Sequence, residues 1–169
     1  KQMFLDVLDG IAFFDLKKSQ GNLGVFDFIQ LAILERNRKE GAELFKELLT
    51  WFFQTVTPSC KETMLEMFAH LTRLSYLKEV VASTTLTSSF VAEFGSSRSY
   101  IIAGLNAQIL QNIKFLLSES DCRRIVESAL SNDQIFNSWK AKEYLRKVLS
   151  SCEGKVDQEK REELYKMIH

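Results

Sequence analysis

A single proline, Pro58, occurs in this chain of 169 residues, and that scarcity constrains the fold more than any other feature. β-Sandwiches and β-barrels usually need many Pro and Gly turns, whereas an array of helices can turn with Ser, Asn and Gly alone. No segment shows sustained alternation of apolar and polar residues, while apolar residues recur three and four positions apart throughout. The sequence therefore predicts an all-α fold of about eight to ten short helices.

Capping residues locate several helix ends. Ser59 and Ser118 each begin a capping box, in which a Ser oxygen accepts a backbone N–H and an acidic residue three positions on reaches back. Asn132 and Asp157 are placed to cap the helices that follow them. Together with the apolar stripes, these signals predict helices over about 2–16, 25–38, 42–55, 88–94, 100–117, 121–130 and 140–151.

The length fits one domain, or a short array of repeats that behaves as one. Because the numbering begins at Lys1 rather than at Met, we expect a fragment of a longer protein. We expect a single helical-repeat domain over 1–169, with a charged terminal helix over 158–169.

Charge balance, hydropathy and cysteine content restrict the kinds of partner and the cellular compartment that we expect. Lys and Arg total 22, as do Asp and Glu, so the balance lacks the basic excess on which tight nucleic-acid binding usually rests. No apolar stretch of 18 residues occurs, which disfavours a membrane span. Cys60, Cys122 and Cys152 are an odd number at wide spacings, unlike a disulfide framework or a zinc knuckle. Free thiols fit a reducing compartment, so we expect an intracellular protein, cytoplasmic or nuclear.

Groups suited to catalysis are sparse. His70 lies among apolar residues on a predicted helix and His169 ends the chain, so no catalytic Cys–His pair is indicated. The sequence contains no His-Glu-x-x-His motif, no Gly-rich phosphate loop and no Gly-x-Ser-x-Gly elbow. We therefore expect a protein that is not an enzyme and that needs no cofactor or metal.

The chain matches itself at a shift of 45 positions, over about residues 60–150. In this register Leu65 falls on Leu110, Phe68 on Ile113, Val81 on Val126 and Phe94 on Trp139. A period of about 40–47 residues is that of armadillo and HEAT arrays.

From Gln108 to Ile113 the chain resembles the armadillo family at the level of fold. That family has a tryptophan, small and apolar residues, and then Asn followed by an apolar residue on the helix that lines a concave groove. The resemblance implies an armadillo/HEAT-like right-handed stack in which Asn112 hydrogen-bonds the backbone of an extended peptide. Gln108 stands in place of the tryptophan, and Met67 occupies the position of Asn112 in the preceding copy, which interrupts the ladder of peptide contacts.

Basic and aromatic side chains mark further candidate contacts. The most extensive basic group accompanies two aromatic residues on one predicted helix: Trp139, Lys140, Lys142, Tyr144, Arg146 and Lys147. This group is either a contact surface for an acidic peptide or phosphate backbone, or, as we rather expect, an ordinary solvated face with Trp139 in the core. Smaller basic groups are Arg36, Arg38 and Lys39, and the pair Arg123 and Arg124. The run Trp51-Phe52-Phe53 cannot face one stripe, because consecutive residues are about 100° apart on a helix. Either this helix is buried on several sides or one ring faces a partner.

These features predict a non-catalytic interaction or scaffold module that binds a helix or extended segment of another protein through a repeat groove or an array edge. An alternative is a helical bundle that self-associates into a homo-oligomer through its terminal helix or its Phe-rich N-terminal helices. A third is a nucleic-acid-binding module whose binding would weaken strongly with salt. The candidate partner-binding residues are Asn112, Gln108, Met67, Arg98, Trp139, Lys140, Arg146 and Lys147.

Overall fold

The structure, a computed structural model, describes residues 23–55, 58–83 and 85–168. These residues form ten α-helices and one 3₁₀ turn, with no β-strand among them, which confirms the all-α prediction. The predicted helix over about 2–16 lies outside the described residues. The helices are α1 (Leu23–Leu34), α2 (Arg38–Thr55), α3 (Pro58–Leu71), α4 (Ser75–Ala82), α5 (Leu86–Gly95), α6 (Tyr100–Asn112), α7 (Glu119–Ser131), α8 (Asp133–Phe136), α9 (Trp139–Ser151) and α10 (Gln158–Ile168), and the 3₁₀ turn is Lys114–Leu116.

The chain divides into two compact units between Val80 and Val81, within α4. The first contains α1, α2, α3 and most of α4, and the second contains α5 to α10. Each unit has buried apolar side chains of its own. The single helical-repeat domain expected over 1–169 stays a prediction, because it depends on how the two units are joined.

An aromatic cluster forms the core of the first unit, where α1 packs against α2 and α3. The ring of Phe68 on α3 meets those of Phe45 and Phe52 on α2 edge to face, with centroids 6.1 and 4.9 Å apart. Such pairs add about 0.5–1.5 kcal/mol each beyond the area that they bury. Trp51 and Phe52 are buried and Phe53 is half-buried, so α2 is covered on more than one side.

The start of α3 corrects one predicted helix end. The capping box predicted at Ser59 makes this residue the N-cap, whereas α3 begins at Pro58 itself. Proline is favoured in the first turn of a helix, because the N–H that it lacks has no partner there and its φ is already helical. Ser59 is therefore a residue of the helix rather than its cap.

Helices α6 and α9 run parallel, side by side, in the second unit. Near their N-terminal ends, an ideal Cβ on Gly104 would lie 3.2 Å from Ser138 Oγ and 3.3 Å from Lys140 Cβ. Beyond their C-terminal ends, the ammonium of Lys155 donates to the backbone oxygen of Leu117 at 3.1 Å. The N-termini of α6 and α9 therefore lie at one end of the pair, and their C-termini lie at the other.

Side-chain caps begin five helices of this unit, and the predicted caps Ser118, Asn132 and Asp157 are confirmed. Ser118 and Asp121 form a reciprocal capping box at α7, with N···O distances of 3.1 Å in both directions. Asn132 Oδ1 accepts from the N–H of Gln134 at 3.0 Å and caps α8. Ser99 and Ser138 cap α6 and α9 in the same way.

Helix α6 ends earlier than the sequence predicted, and Gly154 defines the turn that follows α9. Helix α6 ends at Asn112 rather than near Leu117, and the chain continues as the 3₁₀ turn. Gly154, which has a φ of 75°, lies in the turn between α9 and α10. A positive φ is readily adopted only by glycine, so this residue suits the point where the chain reverses after α9. Asp157 Oδ1 then accepts from the N–H of Glu159 at 2.9 Å, as predicted for the terminal helix.

Candidate functional site: an exposed aromatic patch and a buried cysteine pair

Three exposed apolar side chains share one end of the α6–α9 pair. Trp139, Tyr100 and Ile101 are 69%, 57% and 42% exposed. Tyr100 and Ile101 lie one helical turn before Gly104 on the same face of α6, and Trp139 immediately precedes Lys140. Because Gly104 and Lys140 are in contact, the three side chains lie at the same end of the pair. We call Tyr100, Ile101 and Trp139 the N-terminal patch.

Positive charge surrounds the N-terminal patch. The Lys140 ammonium lies 5.9 Å from the centroid of the Trp139 ring, within the range of a cation–π contact. Arg98 is exposed in the loop just before Ser99, the cap of α6. The N-terminal ends of α6 and α9 also point here, and each carries a partial positive charge of about half an elementary charge. This end of the pair therefore carries positive charge, and the exposed Glu143 adds a negative charge one turn beyond Trp139 on α9.

The other predicted contact residues lie elsewhere. Met67 is 4% exposed on α3, where it contributes to the core of the first unit and offers no surface to a peptide. Gln108 and Asn112 are half-buried on α6, one and two turns beyond Gly104. Arg146 and Lys147 are exposed on α9, two turns beyond the patch. Of the predicted contact residues, Arg98, Trp139 and Lys140 lie at or just before the starts of α6 and α9.

The basic residues of α9 already have contacts within the second unit. A guanidinium nitrogen of Arg146 donates to the backbone oxygen of Ile168 and ties α10 to α9. Lys147 lies 5.6 Å from the centroid of the Tyr144 ring. Lys142 is half-buried. The basic side chains of α9 therefore lie on different sides of the helix and do not form one continuous row of cations.

The two smaller basic groups are paired in part with acidic neighbours: Arg123 pairs within α7, and Arg36, in the turn before α2, pairs with Glu40 on α2. Arg123 contacts Glu119 at 3.1 Å and Arg36 contacts Glu40 at 3.8 Å, both at a spacing of four residues. Such pairs are typical of a solvated helix face and contribute about 0.3–0.5 kcal/mol each. They do not by themselves indicate a binding site.

A second feature, which the sequence spacing did not reveal, is a pair of buried thiols that influence each other's pKa. Cys122 lies in the first turn of α7, and Cys152 caps the C-terminus of α9. Both side chains are fully buried, and each is among the groups that shift the pKa of the other. Thirty residues separate them in sequence, so no local motif could have joined them. Cys60 lies among residues whose side chains are not described.

The surroundings of the two thiols make them unequal. The hydrogen bond from Cys122 lowers the pKa of Cys152, and the Ser151 hydroxyl and the charges of Lys155 and Arg161 lower it further, against the effect of burial. The same hydrogen bond raises the pKa of Cys122, and burial raises it as well.

Two asparagines hold the loop between α5 and α6, which begins beside the N-terminal patch. Asn106 is buried on α6 and donates to Ser97 Oγ at 3.2 Å. Asn132 donates to the backbone oxygens of Gly95 and Ser97 at 3.0 and 3.2 Å. The sequence analysis identified this loop and the cap at Asn132 but assigned no role to Asn106. The structure therefore places these asparagines in loop support.

An exposed apolar stripe also runs along α1 in the first unit. Leu31, Phe28 and Leu34 are 52%, 47% and 38% exposed, and they recur three residues apart on one helix. Elsewhere in the described part of the chain, Phe115 and its neighbour Leu116 are 81% and 38% exposed in the 3₁₀ turn, at the end of the α6–α9 pair opposite the N-terminal patch. The α1 stripe and the 3₁₀ turn are therefore alternative apolar surfaces for contact with a partner.

No group of three or more His, Cys, Asp or Glu side chains is placed to hold a metal ion within the described ranges. Of the helices that the structure describes, none has both the length and the apolar character needed to cross a membrane. No protein-family model, curated protein or solved structure matches the chain. Function is therefore inferred from surface chemistry.

Proposed function

We propose that this protein is a non-catalytic interaction module that binds a segment of another protein at the N-terminal patch. The observation that carries the proposal is the exposure of Trp139, 69%, at the same end of the α6–α9 pair as the exposed Tyr100 and Ile101. Large aromatic residues and arginine are enriched in the centres of interfaces, where a few of them supply most of the binding energy. A patch built on the starts of two packed helices also needs little reorganisation on binding, which favours affinity.

The electrostatics of the patch support a partner with acidic residues. Arg98, Lys140 and the two helix N-termini place positive charge around an apolar centre, so a segment with a large apolar side chain flanked by Asp or Glu would be complementary. Complementary charge raises the association rate and discriminates against wrong partners. A basic partner segment would be repelled at the same edge.

We also propose that the helices stack as in armadillo or HEAT arrays. Helices α6 and α9 begin 39 residues apart (139 − 100), and so do α7 and α10 (158 − 119). In each pair the second helix comes three helices after the first along the chain, and the two helices pack together. Recurrent contacts of this kind are expected of a repeat that contains three helices. This spacing supports a period slightly shorter than the shift of 45 found in the sequence.

In such an array Gln108 and Asn112 continue the surface that begins at the patch. Both recur at a spacing of four residues from Gly104, on the side of α6 that meets α9. They stay candidate contacts for an extended partner segment. Lys147 on the outer surface of α9 is the corresponding candidate for a longer acidic segment.

The second candidate function is self-association through α1. The exposed stripe of Phe28, Leu31 and Leu34 favours it, because contiguous exposed apolar side chains mark contact surfaces in many proteins. Light scattering behind a sizing column, at several concentrations, tests this directly. A dimer that persists on dilution and is abolished by Leu31→Glu would support self-association, whereas a monomer at all concentrations would support the N-terminal patch as the principal contact surface.

Comparative affinity capture tests the principal proposal. The full chain, Trp139→Ala and Phe115→Ala are immobilised separately, and proteins retained from a cell extract are quantified by mass spectrometry. Phe115→Ala is a matched control, because it also removes an exposed ring but at the opposite end of the α6–α9 pair. The proposal expects a set of proteins that Trp139→Ala loses and Phe115→Ala keeps. Identical retention by all three baits would contradict it.

A further inference from the structure

We propose that the α1 stripe, formed by Phe28, Leu31 and Leu34, is covered within the same molecule by residues 2–16, which fold back along α1 as an antiparallel helix. The sequence predicts a helix over these residues, which lie outside those that the structure describes. We call residues 2–16 the leading segment. The inference is independent of the N-terminal patch, and it closes within one chain the surface considered above for self-association.

Helix α1 is apolar on two opposite sides. Phe26, Ile29 and Ile33 are buried, and α1 packs against α2 and α3, whereas the α1 stripe on the other side is exposed. Asp27 and Gln30 are the only polar residues among the 12 of this helix. A helix that is apolar nearly all round is typical of one that is buried on all sides. The sequence of α1 therefore indicates a further layer over the α1 stripe.

The size of the α1 stripe favours a segment of the same chain over a second copy. Three side chains that are 38–52% exposed present on the order of a few hundred Å² of apolar surface, whereas a stable interface buries about 800 Å² on each partner. A segment attached by a short connection has an effective concentration of the order of mM, so a much smaller contact holds it in place. The leading segment meets this condition because it directly precedes α1.

The register of the leading segment matches the α1 stripe. Residues 17–22 connect the two, and a connection of this length commonly joins antiparallel neighbouring helices. A hairpin centred on this connection brings together positions whose numbers add to 39, as 16 and 23 do at its base. The resulting pairs are Leu5 with Leu34, Leu8 with Leu31 and Ile11 with Phe28. Each residue of the α1 stripe therefore meets an apolar residue of the leading segment.

Cysteine cross-linking of the full chain tests this pairing. The protein carries Leu8→Cys, Leu31→Cys and Cys60→Ser, and its two other native thiols are buried in the second unit. Copper phenanthroline oxidises the protein at low concentration, and mass spectrometry identifies the disulfide. The control carries Asp6→Cys instead of Leu8→Cys, because position 6 lies about 160° away around the same predicted helix. We expect a disulfide between positions 8 and 31 of one chain, formed at least roughly tenfold faster than in the control.

A second measurement leaves the cysteines unchanged. Leu8→Glu places a charge against the α1 stripe and is expected to release the leading segment, so the fluorescence of the apolar dye ANS should rise several-fold. Light scattering should then detect association that increases with concentration. Ser19→Glu adds the same charge in the connection and is expected to change neither signal. Circular dichroism checks that each variant keeps its helical content.

Three results would overturn the proposal. Disulfides that form only between molecules would assign the α1 stripe to a second copy of the chain. Equal rates for the two cysteine pairs would show that the leading segment takes no fixed position on α1. Equal ANS fluorescence of the wild type and a folded Leu8→Glu protein would show that the leading segment does not cover the stripe. If a cysteine variant does not fold, the comparison of Leu8→Glu with Ser19→Glu decides.

Discussion

Asn132 Nδ2 lies 3.0 Å from the backbone oxygen of Gly95, a hydrogen bond that spans 37 residues and joins the start of α8 to the end of α5. The Oδ1 atom of the same side chain caps α8 through the N–H of Gln134. One residue thus closes a helix end and holds a distant loop. Its removal leaves unpaired groups on both sides of the contact.

The first prediction concerns this residue. Asn132→Ala is expected to lower the free energy of unfolding by about 2–3 kcal/mol, because a cap contributes about 1 kcal/mol and a part-buried acceptor left without its donor costs a similar amount. Asn132→Asp keeps the cap but not the amide donor, so an intermediate loss is expected. Chemical denaturation followed by circular dichroism measures both. If Asn132→Asp is as stable as the wild type, the contact with Gly95 contributes nothing.

A second prediction concerns the close packing of Gly95 against α7. A Cβ at Gly95 would lie 2.7 Å from Ser128 Oγ, closer than unbonded atoms tolerate. Gly95→Ala is therefore expected to destabilise the protein by about 1–2 kcal/mol through overpacking. Ser128→Ala removes the obstructing oxygen, so the double variant should recover much of the loss. A double-mutant cycle in which the two changes are simply additive would exclude this mechanism.

The third prediction concerns the aromatic cluster of the first unit. Phe68→Ala is expected to cost about 3–5 kcal/mol, because Phe68 is buried and joins two edge-to-face pairs with Phe45 and Phe52. His70→Ala, an exposed substitution on the same helix, is the control and should change stability by less than about 0.5 kcal/mol. Comparable losses for the two variants would show that the cluster does not dominate the core.

The sequence predicted the local features of this fold well. The Ser118 box and the Asn132 cap were correct, because a cap is formed with backbone groups two or three residues away and needs no tertiary information. At Pro58 the same local reasoning was wrong by one residue, since proline both ends one segment and fits the first turn of the next. Helix class and several boundaries therefore followed from spacing and punctuation alone.

Features that depend on distant residues could not be predicted in this way. Nothing in the spacing of Cys122 and Cys152 indicates that both are buried in the second unit, because their burial is created by helix packing. The expectation that Trp139 lies in the core was wrong: its side chain is 69% exposed, because exposure depends on which face of α9 meets α6. Gly104 lies where α6 contacts α9, but the sequence alone does not show that these two helices pack side by side.

A fourth prediction separates the structural and the binding roles of α9. Lys140→Glu is expected to leave Tm within about 2 °C of the wild type, because exposed charge changes usually alter stability by less than about 0.5 kcal/mol. The same change reverses the charge at the edge of the patch, so association with an acidic partner should slow and lose its dependence on salt. Stopped-flow or surface-based kinetics at several salt concentrations measure this. An unchanged association rate would place the contact elsewhere.

The most direct test of the proposed function is the affinity of a partner, isolated by the comparative capture, for the wild type, Trp139→Ala and Phe115→Ala. Titration calorimetry on the three proteins, with folding checked by circular dichroism, gives the three values of Kd. Loss of a central aromatic anchor costs about 2 kcal/mol or more, so Trp139→Ala is expected to weaken binding by at least roughly 30-fold. Phe115→Ala should bind as tightly as the wild type. Equal affinities for all three, or a loss confined to Phe115→Ala, would contradict binding at the N-terminal patch.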